Sequence, residues 1–521
     1  MLVHNFLENS AARFPDKTAL VCDDKRLTYS QLNSAADQLA AALIDKGIKR
    51  QDRVVVFLEN SVESVISLFG ILKAGAVFVM LNPGMKAGKL NFILKDSGAR
   101  AVIAHQVKES IFREAVADTT ELEHMIWCGS KPVTGPIDTI KTSDSWDALF
   151  TKGCSGPPRL GFKIIDIDLA TIIYTSGSTG EPKGVVSTHG NVVAAATSIT
   201  TYLENRENDI VLNTLPLSFD YGLYQSLMVP LFGGTLVLER SFVFPIKTIE
   251  LLVREKVTGF PIVPTMAAIL SQMDTLSKYD LSSLRYITNT AAALHVSYIK
   301  KLQSQFPGVT IFSMYGLTEC KRTLYLPPEE LERRPSSVGI AIPNEEVFIF
   351  DNDGNELGPG EIGELVVRGA NVMQGYWNRP EETAKTFRPG RYRGEVFLHT
   401  GDLFKKDEEG FLYFVGRKDD MIKTKGERVS PKELENALCS MPGVVEAAAL
   451  GVPDDILGQA IKVYIVTEKQ VTLTSDEIMK YCSKHLEPFM VPKYVEFRET
   501  LPKNPSGKID KKVLKAEEEA A

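Results

Sequence analysis

Tyr174-Thr-Ser-Gly-Ser-Thr-Gly-Glu-Pro-Lys-Gly184 is the stretch on which the reading of the chain turns. Gly177, Gly180 and Gly184 let the backbone bend so that several N–H groups can face one anion. Thr175, Ser176, Ser178 and Thr179 add hydroxyl donors, and Lys183 adds a positive charge. The run before it, Leu169-Ala-Thr-Ile-Ile-Tyr174, is apolar and β-prone. The loop is therefore expected to leave a strand tip, where doubly wound sheets place ligands, and to grip phosphate. It does not follow the G-x-x-x-x-G-K-[ST] pattern, because Pro182 precedes Lys183 and Gly184 follows it. The competing reading is a flexible Gly/Ser connector, but such connectors seldom follow an apolar strand with so many donors.

Working outward from this loop, strand and helix patterns alternate on both sides. Tyr29–Leu43 carries apolar residues at helical spacing, as does Ser61–Lys73. Arg53–Leu58, Ala76–Met80 and Ala101–Ala104 read as strands. Residues 129–166 are rich in Pro, Gly, Ser and Lys and read as surface connection. Beyond the loop, Val211–Leu215, Gly234–Leu238, Gly259–Val263, Leu284–Thr288 and Val309–Phe312 read as strands with helical stretches between them. This alternation predicts α/β architecture with largely parallel sheets. From about residue 338 the texture changes to short strands with Gly turns, a β-rich subdomain. After Gly416-Arg-Lys-Asp-Asp420 it changes again, to helix, two strands, helix and a polar tail, enough for a separate small α+β domain.

With 521 residues the chain exceeds a single core. A net charge of −7 argues against a general nucleic-acid binder, which would show a basic face. The six cysteines are scattered without a C-x-x-C pair, so no zinc ribbon or disulfide framework is indicated, and a reduced cytoplasmic setting is expected. The first residues lack the basic and apolar regions of a signal peptide. The most apolar window, Val65–Leu81, is interrupted by Gly70, Lys73 and Gly75, so no membrane span is expected.

Further stretches combine turn residues with charge: Ser313-Met-Tyr-Gly-Leu-Thr-Glu319, His399-Thr-Gly-Asp402, Gly416–Gly426 and Asn504-Pro-Ser-Gly-Lys508. Each alone is as well explained by a turn or a solvated charge. Their joint occurrence in this order, with Gly375-Tyr-Trp between them, resembles the adenylate-forming superfamily of acyl-CoA synthetases, stand-alone adenylation domains and luciferases. The resemblance covers essentially the whole chain. It implies a large N-terminal domain, 1–416, of two sheet-and-helix halves plus the β-rich subdomain at about 338–416. A hinge at 417–420 and a small mobile C-terminal domain, 421–521, complete the expected layout.

The implied chemistry has two steps. A carboxylate attacks the α-phosphate of ATP and expels pyrophosphate, giving an acyl-adenylate; a thiol then takes the acyl group and AMP leaves. By resemblance, Thr175, Ser176, Gly177, Ser178, Thr179, Gly180 and Lys183 hold the β- and γ-phosphates, Thr318 meets the α-phosphate, and Glu319 binds Mg²⁺. Tyr315 lies against adenine, and Asp402 and Arg417 take the ribose hydroxyls. Lys508 bridges the attacking carboxylate and the α-phosphate. The expected catalytic residues are thus Lys508, Thr318 and Lys183. Asp419 is the implied hinge, and Lys425 and Gly426 belong to the face presented to the thiol in the second step.

The resemblance also places the acid pocket at Phe219, Asp220, Tyr221, Tyr224, Asn289, Met314 and Lys321. Asp220 stands where amino-acid-activating relatives bind the substrate ammonium, so an amino acid such as proline is the alternative substrate. Lys321 and Arg322 either recognise a second carboxylate or balance Glu319 and Asp220. The thiol is that of coenzyme A or of the phosphopantetheine arm of an acyl or peptidyl carrier protein acting in trans. Oligomeric state, monomer or homodimer, is not legible. A non-catalytic nucleotide-binding module is the rival from another class. It has no need of the lysine at 508, whose retention with Lys183, Glu319, Asp402 and Arg417 argues for an enzyme.

Overall fold

The structure, a computed structural model, describes residues 1–130, 135, 137, 140–150, 158, 160–176, 181–273, 275–290, 296–424, 427–454, 457–468, 471–504 and 507–520. It is mixed α/β, built on four sheets. An eight-stranded sheet runs in the order Gly375–Tyr376, Pro182–Thr188, Leu169–Ser176, Val77–Met80, Arg53–Phe57, Ala99–His105, His124–Cys128, Thr142–Ser145. Its strands pair in parallel except at the first two contacts. Both faces are covered, as parallel sheets require. Val54 and Val56 enter one core while Val55 and Phe57 enter another.

The second sheet has nine strands and is centred on Thr310–Tyr315, Tyr286–Asn289, Gly259–Ile262, Ile210–Asn213 and Thr235–Leu238. Helices Tyr29–Asp45, Val62–Lys73, His189–Tyr202 and Asp220–Phe232 contribute buried residues to one core shared with strands of both sheets. Local chemistry starts three of these helices. Thr28, Ser61 and Thr188 each accept the backbone N–H three residues on, while the third residue's side chain returns a bond to the cap.

A third, antiparallel sheet holds Glu345–Phe350, Gly363–Gly369, Phe387–Pro389, Val396–Lys406 and Leu412–Arg417. The fourth holds Ile422–Thr424, Glu427–Val429, Val444–Asp454, Gly458–Thr467 and Tyr494–Phe497, packed on helices Pro431–Cys439 and Ser475–His485 around their own core. Among the described residues no helix is long and apolar enough to cross a membrane.

Several expectations are corrected. The segment that follows the glycine loop, which the sequence reading left unassigned, is a strand. Leu169–Ser176 and Pro182–Thr188 form an antiparallel hairpin, and Lys183 lies in its second strand opposite Thr175. Part of 129–166 is sheet edge: Thr142–Ser145 pairs with His124–Cys128, and Trp146 after it is buried. The strands Thr18–Cys22 and Lys25–Thr28 escape the sequence reading because the partner of the first, Thr235–Leu238, is more than two hundred residues away. Two short strands after residue 338 leave the β-rich subdomain: Ile340–Ala341 extends the second sheet, and Gly375–Tyr376 extends the first.

That sharing ties the third sheet to the other two. Val338 N–H donates to the Leu412 carbonyl and Leu412 N–H to that of Gly339. Gly339 has φ of +91°, and a Cβ there would sit 1.8 Å from the Tyr325 carbonyl oxygen. Gly339→Ala is therefore expected to cost about 4 kcal/mol. Gly47→Ala has a similar φ of +87° but open space around it, and should cost only about 1 kcal/mol. Denaturant unfolding of both variants checks the contrast; equal costs would refute it.

Candidate active site

The strand Thr310–Tyr315 delivers its last residue and the loop after it to the junction of three sheets. The loop closes tightly: Lys321 N–H donates to the Leu317 carbonyl and Thr323 N–H to that of Tyr315. Gly316 is required here, since a Cβ would lie 2.3 Å from the Lys321 carbonyl oxygen. The turn projects Glu319 towards the glycine hairpin. Tyr376 Oη donates to Glu319 Oε1 at 2.7 Å, and Lys183 Nζ lies 5.6 Å from the centre of the Tyr376 ring. Tyr376 thus links the lysine of the hairpin to the expected metal-binding carboxylate.

Sequence reasoning quoted Tyr376 within Gly375-Tyr-Trp but gave it no role; the only available signal was its place in that motif. Gly177, Ser178, Thr179 and Gly180 lie outside the described residues, as do Lys425 and Gly426.

Asp402 approaches from the third sheet. Thr400 Oγ1 donates to the Leu365 carbonyl and accepts Asp402 N–H, while Glu364 accepts Gly401 N–H at 3.0 Å. Glu364 was not foreseen, because nothing near it in sequence marks it. The Asp402 carboxylate accepts Tyr315 Oη at 2.5 Å and lies 3.1 Å from Arg417 Nε. The arginine contact is a charge pair without hydrogen-bond alignment, which leaves Oδ1 with no hydrogen bond among the described residues. Burial raises the Asp402 pKa above the ordinary carboxylate range, opposed by the charge of Arg417. Burial and the Asp402 charge push the Tyr315 phenol well upward, so it stays a donor. The Tyr315 ring packs against Phe404 and Phe414.

Asp419 is exposed in the turn after Leu412–Arg417, an open position between two sheets. Beside it, Lys418 N–H donates to the Gly401 carbonyl and Lys418 Nζ lies 3.7 Å from Glu364. The C-terminal part of the chain touches the rest through hydrogen bonds: Tyr298 Oη donates to the Val445 carbonyl at 2.8 Å, and Ser430 Oγ to that of Val415. The turn before Lys508 rests on Thr265, whose Oγ1 would stand 3.0 Å from a Cβ at Gly507. Lys508 N–H is held by Asn504 Oδ1 at 3.0 Å. The Lys508 side chain keeps contact with solvent, yet it sits where protein displaces bulk water. That burial lowers its pKa, and Asp220 and Asp402 are the leading carboxylates that oppose the shift. Lys508 therefore lies within electrostatic reach of Asp220, Asp402 and Glu319.

On the acid side, Asp220 opens the helix Asp220–Phe232, whose dipole favours a negative charge at that end. Asp220, Tyr221, Tyr224, Asn289, Met314 and Lys321 are all buried. Phe219 packs edge-on against Tyr221, whose hydroxyl contacts Thr288. Tyr202 Oη contacts Met314 Sδ at 2.8 Å. Lys321 Nζ donates to the Thr318 carbonyl at 2.7 Å, and burial lowers its pKa against the pull of Asp220 and Glu319.

Among the described residues no cluster of three or more metal-ligating side chains occurs. A single carboxylate such as Glu319 nevertheless suits Mg²⁺, which takes one or two protein carboxylates and completes its shell with phosphate oxygens and water. Bound there, the ion would supply positive charge to the phosphates.

The sequence profile of the AMP-binding enzyme family matches residues 7–377, and that of the AMP-binding enzyme C-terminal domain matches residues 433–508. The chain belongs to this adenylate-forming family. It is an AMP-forming ligase, which activates a carboxylic acid with ATP as an acyl-adenylate and passes the acyl group to a thiol. It is 32% identical to a long-chain-fatty-acid–CoA ligase of Bacillus subtilis over 99% of this chain and 94% of that relative. An anthranilate CoA ligase in complex with anthranoyl-AMP superposes with a TM-score of 0.90 at 27% identity, covering 100% of this chain and 98% of that one. ATP-bound MatB from Rhodopseudomonas palustris gives 0.87 at 28% identity, with 99% of each chain covered.

For this AMP-binding enzyme, the lowered Lys508 pKa gives a signed pH prediction. The role that the resemblance implies for Lys508 uses the protonated amine, and it predicts that kcat/KM for adenylation falls on the alkaline side at a lower pH than an ordinary lysine would give. Lys508→Ala should reduce acid-dependent ATP–pyrophosphate exchange by at least about a hundredfold and spare thioester formation from supplied acyl-adenylate. Equal loss of both half-reactions would refute that division of labour.

Proposed function

We propose that the chain is a coenzyme A ligase for a compact, polar carboxylic acid, acting in the cytoplasm. The observation that carries this reading is the charge buried among the residues that the resemblance assigns to the acid pocket. Asp220, Tyr221, Tyr224, Lys321 and Arg322 are all buried there, whereas a channel for a long alkyl chain gains nothing from buried charge and pays its desolvation.

Within this reading, Lys183 and the hairpin Thr175–Lys183 hold the β- and γ-phosphates, and Thr318 meets the α-phosphate. Glu319 holds the metal ion, kept in position by Tyr376. Asp402 and Arg417 take the ribose hydroxyls, and the open Oδ1 of Asp402 supports that assignment. Lys508 spans the two reacting anions, and its turn on Thr265 supports a role from across the domain gap. Residues 417–420 serve as the hinge about which the C-terminal domain, 421–521, turns for the thioester step. A carrier protein is the alternative acceptor.

ATP–pyrophosphate exchange over a panel of fatty, aryl, hydroxy, dicarboxylic and amino acids tests the reading. Compact polar acids should exceed hexadecanoate by at least about tenfold in kcat/KM, and AMP release should then depend on coenzyme A. Hexadecanoate as the best substrate would overturn the compact-acid reading. Exchange with an amino acid, abolished by Asp220→Ala, would move the chain to the amino-acid-activating branch.

A further inference from the structure

The charges of the acid wall do not balance. Lys321 and Arg322 are each about 98% buried or more. Among the described residues no carboxylate lies within ion-pair distance of either. Lys321 is accounted for: its ammonium is held by the Thr318 carbonyl, and Asp220 is its leading counter-charge. Arg322 is not. One of its terminal nitrogens donates to the Lys321 carbonyl at 2.9 Å, and the guanidinium lies 4.4 Å from the centre of the Tyr221 ring. Among the described residues its buried Nε makes no hydrogen bond, and neither does the buried hydroxyl of Tyr224. Tyr221 and Tyr224 stand three residues apart, on one face of their helix. Arg322 is close enough to act electrostatically on both phenols.

Other candidates for the missing anion fail. Glu345 reaches the same loop through Asn371, whose amide bonds Glu345 Oε2 at 2.5 Å and the Arg322 carbonyl at 3.2 Å. Burial raises the Glu345 pKa well above the ordinary range, so this group does not supply a dependable negative charge. A stacked aromatic ring offsets part of a buried cation's desolvation but leaves its directed N–H donors unmet. An arginine fork is the side chain best matched to a carboxylate.

We propose that the acid is a dicarboxylate: one carboxylate is activated, and the second is bound by Arg322, with the Tyr224 hydroxyl as a further donor. This rests on the compact-acid reading above and narrows it. Asp220 then serves as the counter-charge of Lys321 and repels a misplaced second anion, which fixes which end of the acid faces Lys508.

The test uses the full chain and ATP–pyrophosphate exchange, comparing succinate, glutarate, adipate and phthalate with their monomethyl esters. Each ester removes one charge and adds only a methyl group. At least one diacid should exceed its ester by about a hundredfold in kcat/KM, because a site with buried donors rejects the analogue that leaves them unmet. Arg322→Gln should collapse that ratio to within about threefold, and Arg322→Lys should keep an intermediate preference. Esters equal to their diacids across the whole series in the unmodified enzyme, or a preference that survives Arg322→Gln in folded protein, overturn the proposal. Should Arg322→Gln fail to fold, the wild-type ratios and Arg322→Lys decide it. Preference for an uncharged compact acid defeats the dicarboxylate alone, whereas preference for hexadecanoate defeats the compact-acid reading as well.

Discussion

Two anions must meet for an acyl-adenylate to form, and the repulsion between them is the constraint that the whole chain answers. A carboxylate brought near a phosphate oxygen at about 4 Å faces roughly 4 kcal/mol of repulsion per unit charge pair at an effective dielectric of 20. The enzyme has to supply positive charge at that point without letting it collapse onto the carboxylates already in the cleft. Those carboxylates are Asp220, Glu319 and Asp402, and each is engaged differently. Tyr376 holds Glu319, Tyr315 and Arg417 hold Asp402, and Asp220 sits at a helix start facing Lys321. Lys508 is the cation proposed above to stand between the reacting anions, and its turn rests on Thr265.

The fold makes this possible by bringing separate sheets to one place. The glycine hairpin belongs to the eight-stranded sheet, the loop carrying Glu319 ends a strand of the nine-stranded sheet, and Asp402 rides on the third sheet. The strand Gly375–Tyr376 joins these parts, since it pairs with the hairpin while its tyrosine reaches Glu319. The Trp377 indole N–H donates to the Asp96 backbone carbonyl, while the Asp96 carboxylate accepts the Arg379 guanidinium and, at 2.6 Å, the Tyr174 hydroxyl. The hairpin base and the segment after the strand beside it are therefore tied to one residue, Asp96.

Much of this was legible in the chain. The parallel strands announced themselves as short β-branched runs, because burial on both faces removes any need for polar alternation. The motif residues stood out through combinations of glycine, hydroxyl and charge that a packed core does not select. What stayed hidden was long-range. The pairing of Thr18–Cys22 with Thr235–Leu238 leaves no local trace, nor does the bond from Gly401 to Glu364. The second strand of the hairpin went unread because Pro182, Lys183 and Gly184 disfavour a strand by propensity. Tertiary pairing on both sides, with Leu169–Ser176 and with Gly375–Tyr376, overrides that preference. The imbalance around Arg322 was out of reach, because a sequence shows that a charge is present but not that its partner is missing.

The most direct test of the central claim is a crystal structure with the acid and an ATP analogue whose α,β-bridging oxygen is replaced by methylene. The account predicts the Lys508 amine between the acid carboxylate and the α-phosphate, with Asp402 on the ribose hydroxyls. Both anions bound with that amine turned away to solvent, and no other cation in its place, would contradict it.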